Sequence, residues 1–248
     1  MIVDFRAARK ALQEIWTNSK QGDQVLRGHS DAVDQYIEDC FSGIEIEGVG
    51  EDVALVALGG YGRREFFPSS DIDLMILYRP RVKGQISKIS DAVLYPLWDT
   101  GLDVGHGVRT IQESFEHAEE EYFFLVALLD ARLICGSQLL FDELVGEYRA
   151  KYVDGHRESF VEKMKVYRGD RRDRYGSHSY LLEPHIKEGR GGMRDIQAMM
   201  WTARVVFGLS DLDDIQGAGL LLPDEQQEFR LARDFLTQLR CALHYLSK

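Results

Sequence analysis

The chain has 248 residues, 44% apolar and 29% charged, enough for a sizeable core and ordinary for a globular protein. Its formal charge of −11 argues against general nucleic-acid binding, and the longest apolar run, Tyr122 to Leu129, is far too short to span a membrane. The N-terminus lacks the apolar core of a signal peptide, and Cys40, Cys135 and Cys241 form no Cys-x-x-Cys pattern, so a cytoplasmic protein without structural disulfides or zinc is expected.

The first predicted elements are helices over 2–20 and 30–43. Ile2, Phe5, Ala8, Leu12 and Ile15, then Val33, Ile37 and Phe41, recur there at helical spacing. Residues 53–58 form a short apolar run that ends at Gly59 and Gly60, which reads as a buried strand feeding a glycine turn. Glycines at such a turn permit positive φ and close approach, so the amides that follow can face an anion such as phosphate.

Pro68, Ser69 and Ser70 break the segment, and residues 72–78 read as a second, central strand. Asp71 and Asp73 stand at its start. Side chains alternate along a strand, so these two carboxylates project to one face while Ile72 and Leu74 point to the other. Converging carboxylates repel unless a cation lies between them. Mg²⁺ supplies that charge through hard oxygen ligation and keeps positions open for substrate phosphates. Two such ions about 3.5–4 Å apart suit in-line phosphoryl or nucleotidyl transfer.

A helix over 86–98, with Ile89, Val93 and Leu97 on one side and Gly101 as its stop, links the second strand to a third. From Thr110 onward no strand is predicted, and segments near 111–134, 137–150, 155–175, 193–207 and 223–247 suit helices. The expected fold is α+β: a small sheet domain with N-terminal helices over 1–112, then a helical domain over 113–248 that completes the pocket.

Within that helical half the loop 183–192 is punctuated by glycine and proline. Lys187 there can reach a phosphate, and Arg194 and Asp195 at the next helix start either anchor the loop, cap the helix or contact the nucleotide. Residues 161–194 hold nine Lys or Arg against five Asp or Glu. Arg168, Arg171, Arg172 and Arg174 among them form a basic wall towards the triphosphate or a partner, or, for Arg171 and Arg172, a solvated helix face. In the last helix Phe229, Leu231, Phe235, Leu236, Leu239 and Leu243 make an apolar surface broader than one packed stripe, a candidate surface for dimerisation.

The stretch Gly59-Gly60-Tyr61-Gly62-Arg63, with Glu65-Phe66, Pro68 and then Ser70-Asp71-Ile72-Asp73-Leu74, resembles nucleotidyltransferases of the DNA polymerase beta type, and more narrowly the PII uridylyltransferases. Two further segments share that likeness, Leu102-Asp103-Val104-Gly105-His106-Gly107-Val108-Arg109-Thr110 and the run from Leu182 to Gln197. The resemblance covers roughly residues 50–248 and implies a polymerase beta-like mixed sheet. It implies transfer of UMP from UTP to a tyrosine of a PII signal protein, with Mg²⁺ required and pyrophosphate leaving.

By the same resemblance Gly59, Gly60 and Ser70 belong to the triphosphate cradle and Arg63 neutralises phosphate charge. Asp71 and Asp73 hold the metals. Asp103 occupies the place of the third carboxylate, ligating one metal and helping to take the proton from the attacking phenol. Arg64 departs from the family pattern, in which that position is commonly small. The family also continues into a His-Asp phosphohydrolase domain and two ligand-sensing domains, whereas none of the seven histidines here precedes aspartate. Uridylyl removal and glutamine sensing are therefore expected to be absent, as in a shortened piece or a naturally short relative. The same carboxylates serve adenylyl transfer to another protein or small molecule, and a non-catalytic nucleotide sensor would keep the same pocket.

Overall fold

The structure is a computed structural model that describes residues 5–46, 48–176, 183 and 185–246. It divides into two compact units, Met1–Tyr148 with Leu243–Lys248, and Arg149–Ala242.

The first unit opens with helices α1 (Phe5–Ser19) and α2 (Gly22–Ser42). Ile2, placed in the first helix by its spacing, lies outside the described residues. Helix α2 starts eight residues before the predicted 30, because Val25, Leu26, His29 and Ser30 continue its buried face. The polar His29 and Ser30 hide that stripe in the sequence. A four-residue helical turn α3 (Val49–Asp52) leads into strand β1 (Val53–Ala57), a second turn α4 (Gly59–Gly62) follows it, and strand β2 covers Ile72–Tyr78. Helix α5 (Ile86–Asp99) ends beside Gly101, whose φ of +76° is the left-handed stop expected there, and carries the chain across to strand β3 (Val104–Arg109).

The predicted helix over 111–134 is a correction. It breaks into α6 (Ile111–Glu120) and α7 (Tyr122–Leu129), and its end is strand β4 (Arg132–Gly136). Every residue of β4 is half-buried, so it shows neither alternation nor an apolar run. It is a strand because it pairs antiparallel along the edge of β1, with Leu55 opposite Cys135 and Ala57 opposite Arg132. Helix α8 (Gln138–Tyr148) closes the unit, so beyond residue 112 the sheet-bearing unit continues through β4 and α8.

The sheet order is β3-β2-β1-β4. β2 runs antiparallel to β1 and parallel to β3, which makes the sheet mixed. All five residues of β1 are buried, and β2 is buried except at Asp73. Leu55, Ile72, Leu74 and Ile76 pack with Val33 and Ile37 of α2 and with Ile89, Val93 and Leu97 of α5. Each such side chain contributes roughly 1.5–3 kcal/mol. This packing holds the β2 start with one face committed to the core and the other turned outward.

The second unit carries a π-helical turn (Arg149–Val153), helices α9 (Arg157–Tyr175), α10 (Met193–Phe207) and α11 (Leu212–Gly217), and most of α12 (Pro223–Leu246). Along α12, Leu231, Phe235, Leu239, Leu243 and Leu246 are exposed, Leu231 by 59% and Phe235 by 63%. No helix among the described residues is long and apolar enough to cross a membrane.

Candidate active site

The glycine turn is built against β2. The Leu58 N–H donates to the Asp73 carbonyl at 2.9 Å, tying the exit of β1 to the entrance of β2. Gly59 follows at φ +52°, and a Cβ placed on it would stand 3.2 Å from Asp73 Oδ2. Glycine is favoured there by conformation and by the carboxylate beside it. The Gly60 carbonyl accepts from the Glu65 N–H at 2.8 Å, closing the turn. At Gly62 a Cβ would fall 2.1 Å from the Asp130 carbonyl oxygen, so only glycine lets the turn lie on that backbone.

Asp71 and Asp103 immediately precede the paired strands β2 and β3, and Asp73 is the second residue of β2. Ile72 pairs with Val104 and Asp73 with Gly105, and the Ile72 N–H donates to the Asp103 carbonyl at 2.8 Å. This parallel register sets Asp103 level with Asp71 at the starts of neighbouring strands. Asp71 and Asp73 are exposed and alternate with buried Ile72 and Leu74, while exposed Asp103 follows buried Leu102. The Asp73 carboxylate lies between two glycines, since a Cβ on Gly105 would stand 3.3 Å from its Oδ1. Among the described residues no three His, Cys, Asp or Glu groups converge as a ready-made cage. The donor set still suits Mg²⁺: exposed hard oxygens, with room kept beside Asp73, fit an ion that retains several waters and takes one or two protein carboxylates.

Ser70, half-buried, precedes Asp71 in a loop that is tied down along its length. Its N–H donates to the Phe67 carbonyl at 3.0 Å, and the Pro68 carbonyl accepts from Arg9 Nη2 at 2.8 Å.

Arg63 is engaged within the protein. Its Nε meets Glu65 Oε2 at 2.8 Å and its Nη1 meets Asp130 Oδ2 at 2.5 Å. Burial pulls the guanidinium pKa down, but the charges of Glu65 and Asp130 outweigh that and raise it. The structure thus shows Arg63 anchoring the glycine turn to the end of α7. Arg64, at φ +60°, pairs with Asp31 on α2.

A second anchor was not legible in the sequence. Arg132 donates to both oxygens of Asp34, at 2.8 and 3.0 Å, and to the carbonyls of Gly62 at 3.2 Å and Tyr61 at 3.3 Å. The Tyr61 hydroxyl donates to Asp34 Oδ1 at 2.6 Å, and burial, then the Asp34 charge, raises the phenol pKa well above its ordinary value. The one signal for this network is an aspartate at position 34 on the buried face of α2, which demands a cation.

The second motif lies in the second unit. Leu182 and Pro184 fall outside the described residues. From His185 the loop winds back on itself: Gly189 N–H donates to the His185 carbonyl at 2.7 Å, Met193 N–H to Ile186 at 3.0 Å and Arg194 N–H to Lys187 at 2.9 Å. A Cβ on Gly192 would stand 2.5 Å from the Ile186 carbonyl oxygen. Asp195 accepts from the Gly191 N–H at 2.8 Å and pairs with Arg171, so it anchors the loop at the start of α10.

Arg171 corrects the expected solvated face. Its side chain is 3% exposed, because it extends the stripe of Phe160, Met164 and Tyr167 along α9; Arg172 is exposed as expected. Arg194 donates to Gln197 Oε1 at 2.8 Å, meets Glu188 at 3.3 Å and lies 5.6 Å over the Trp201 ring. The Lys187 amine is 3.9 Å from Glu188 and remains partly exposed. Lys187 and Arg194 therefore converge on Glu188 within the second unit.

The chain is similar to known proteins over most of its length. Residues 159–248 match the family model described as GlnD PII-uridylyltransferase. A bifunctional uridylyltransferase/uridylyl-removing enzyme of Rhodospirillum rubrum is 38% identical over 199 residues, which is 80% of this chain and 21% of the relative. Proteins of the same name from Bradyrhizobium diazoefficiens and Erythrobacter litoralis are 34% and 33% identical over 97% and 95% of this chain, and 27% and 26% of their own lengths. The chain thus spans between about a fifth and about a quarter of the curated relatives it matches.

Proposed function

Since the chain belongs with the GlnD-type PII-uridylyltransferases, a nucleotidyltransferase family, we propose that it transfers UMP from UTP to a tyrosine hydroxyl of a PII-type protein, releasing pyrophosphate. One observation carries this reading: the Asp73 carboxylate lies against Gly59 of the glycine turn, with Asp71 and Asp103 at the entrances of the paired strands β2 and β3. Asp71, Asp73 and Asp103 would hold Mg²⁺, two ions in this reading. When bound, Mg²⁺ supplies the positive charge that offsets the phosphates and steadies the attacking and leaving oxygens.

The chain's own residues do the rest. Gly59 and Gly60 let the phosphate chain approach backbone amides at the start of the turn, where amides lack intrahelical acceptors. Ser70, held beside Asp71, borders the same cradle. In this reading Asp103 would accept the proton of the attacking phenol. Arg63, Asp34 and Arg132 position the turn. Lys187 and Arg194, which both meet Glu188, are proposed as anion contacts of their own unit.

The three cysteines are free, which suits a reducing compartment, and we place the chain in the cytoplasm. The exposed apolar face of α12 is assigned to self-association.

The test is incubation of the 248-residue chain with Mg²⁺, a PII-type protein and labelled UTP, ATP, CTP or GTP in turn. Label is expected on PII from UTP, and Asp71→Ala with Asp73→Ala should remove it, a loss of several kcal/mol or roughly 10³-fold. Transfer from ATP alone overturns the uridylyl assignment, and transfer that survives the double substitution overturns the site.

A further inference from the structure

The face of the sheet that carries Asp73 is cleared of side chains along β3. Asp73 Oδ1 lies 3.3 Å from where a Cβ of Gly105 would stand, so Gly105 faces the same way. Gly107 shares that face, because strand residues alternate. There the side chain of Arg109 turns back along its own strand. Its Nη1 lies only 1.6 Å from the position a Gly107 Cβ would take, so the guanidinium fills the space that Gly107 leaves. Two residues of strand span roughly 6.6 Å, which sets this cation and the Asp73 carboxylate about one phosphate chain apart.

The guanidinium is supported by the Phe124 ring of α7, 5.1 Å below it. Glu113 is the carboxylate whose charge acts on it, yet that group is already committed: its Oε2 accepts from the Thr110 N–H at 2.8 Å and lies 3.5 Å from the Tyr78 hydroxyl. Among the described residues no carboxylate is within ion-pair distance of Arg109. Burial accordingly lowers its pKa below the ordinary arginine value, the mark of a cation whose charge is incompletely offset. Arg63 and Arg132, by contrast, have their carboxylates. A planar guanidinium held this way matches phosphate oxygens bidentately.

We infer that Arg109 binds the phosphate chain of the nucleotide, and the pyrophosphate released from it, on the Asp73 face of the sheet, and that positions 105 and 107 are glycine because ligand and guanidinium occupy their side-chain space. This rests on the nucleotidyl-transfer reading and adds to it a phosphate-binding residue.

The experiment measures equilibrium binding of UTP, UMP and inorganic pyrophosphate, with Mg²⁺, to the 248-residue chain and to Arg109→Gln, Arg109→Lys and Gly107→Ala. Thermal unfolding of each variant is recorded alongside. Arg109→Gln is expected to weaken UTP and pyrophosphate by about ten- to hundredfold, the loss of a charged hydrogen-bond pair, and UMP by less than about twofold. Gly107→Ala keeps the charge but displaces it, and should weaken the same two ligands, while Arg109→Lys recovers part of the loss. Unchanged pyrophosphate and UTP binding in Arg109→Gln, or equal weakening of UMP, overturns the assignment of Arg109 alone. If the unsubstituted chain binds neither UTP nor pyrophosphate, the transferase reading fails and this inference with it. Should Arg109→Gln unfold, Gly107→Ala with normal UTP affinity decides against it.

Discussion

Arg63 Nη1 and Asp130 Oδ2 meet at 2.5 Å beneath the glycine turn, and the Asp130 side chain is 99% sealed from solvent, at 1% exposure. The pair joins residues 67 positions apart and fixes the turn between β1 and α7. Removing Asp130 leaves the Arg63 guanidinium with Glu65 as a carboxylate partner, so what is lost is one charged hydrogen bond in a buried place.

Asp130→Ala is therefore expected to lower unfolding free energy by about 1.5–3 kcal/mol, read by urea denaturation. A loss below about 1 kcal/mol would show that the turn is held without this pair.

The capping box at the start of α6 predicts a pH dependence. The Thr110 hydroxyl accepts from the Glu113 N–H at 3.2 Å, and the Glu113 carboxylate accepts from the Thr110 N–H at 2.8 Å. That backbone hydrogen bond, more than any other influence, lowers the Glu113 pKa below its ordinary 4.5. A carboxylate depressed in the folded state stabilises the fold above its unfolded pKa and loses that contribution as pH falls through the folded value. Glu113→Gln should therefore be less stable than the parent at pH 7, and the gap should narrow steadily below about pH 4.5. A gap that stays constant down to pH 2 would refute the ionic contribution of Glu113.

The exposed row Leu231, Phe235, Leu239 and Leu243 on α12 follows a spacing of four residues, a ridge suited to helix packing. Self-association through it predicts a dimer in sedimentation velocity that Phe235→Glu converts to monomer without loss of helix content. A strictly monomeric parent that binds no hydrophobic dye would rule that surface out.

Much of the candidate site was legible in the sequence. An apolar strand, a glycine turn and Asp-x-Asp are local patterns, and strand alternation alone orients Asp71 and Asp73. The linking helix and Gly101 pointed to a third strand, whereas Asp103 was picked out only by the family resemblance. β4 was not legible, because Arg132-Leu133-Ile134-Cys135-Gly136 has no period of its own and owes its state to the free edge of β1.

What the sequence by itself determined about this protein is the local chemistry of the site: which backbone positions need glycine, and which two carboxylates share a strand face. Only the tertiary structure decided which cations are spent and which are available. Arg63 finds Asp130 and Arg132 finds Asp34 across 67 and 98 residues, whereas Arg109 folds back over Gly107 with a ring for support. The reason is physical: strand alternation and turn geometry are set within a few residues, but the compensation of a buried charge depends on whichever distant group the packed fold places within reach.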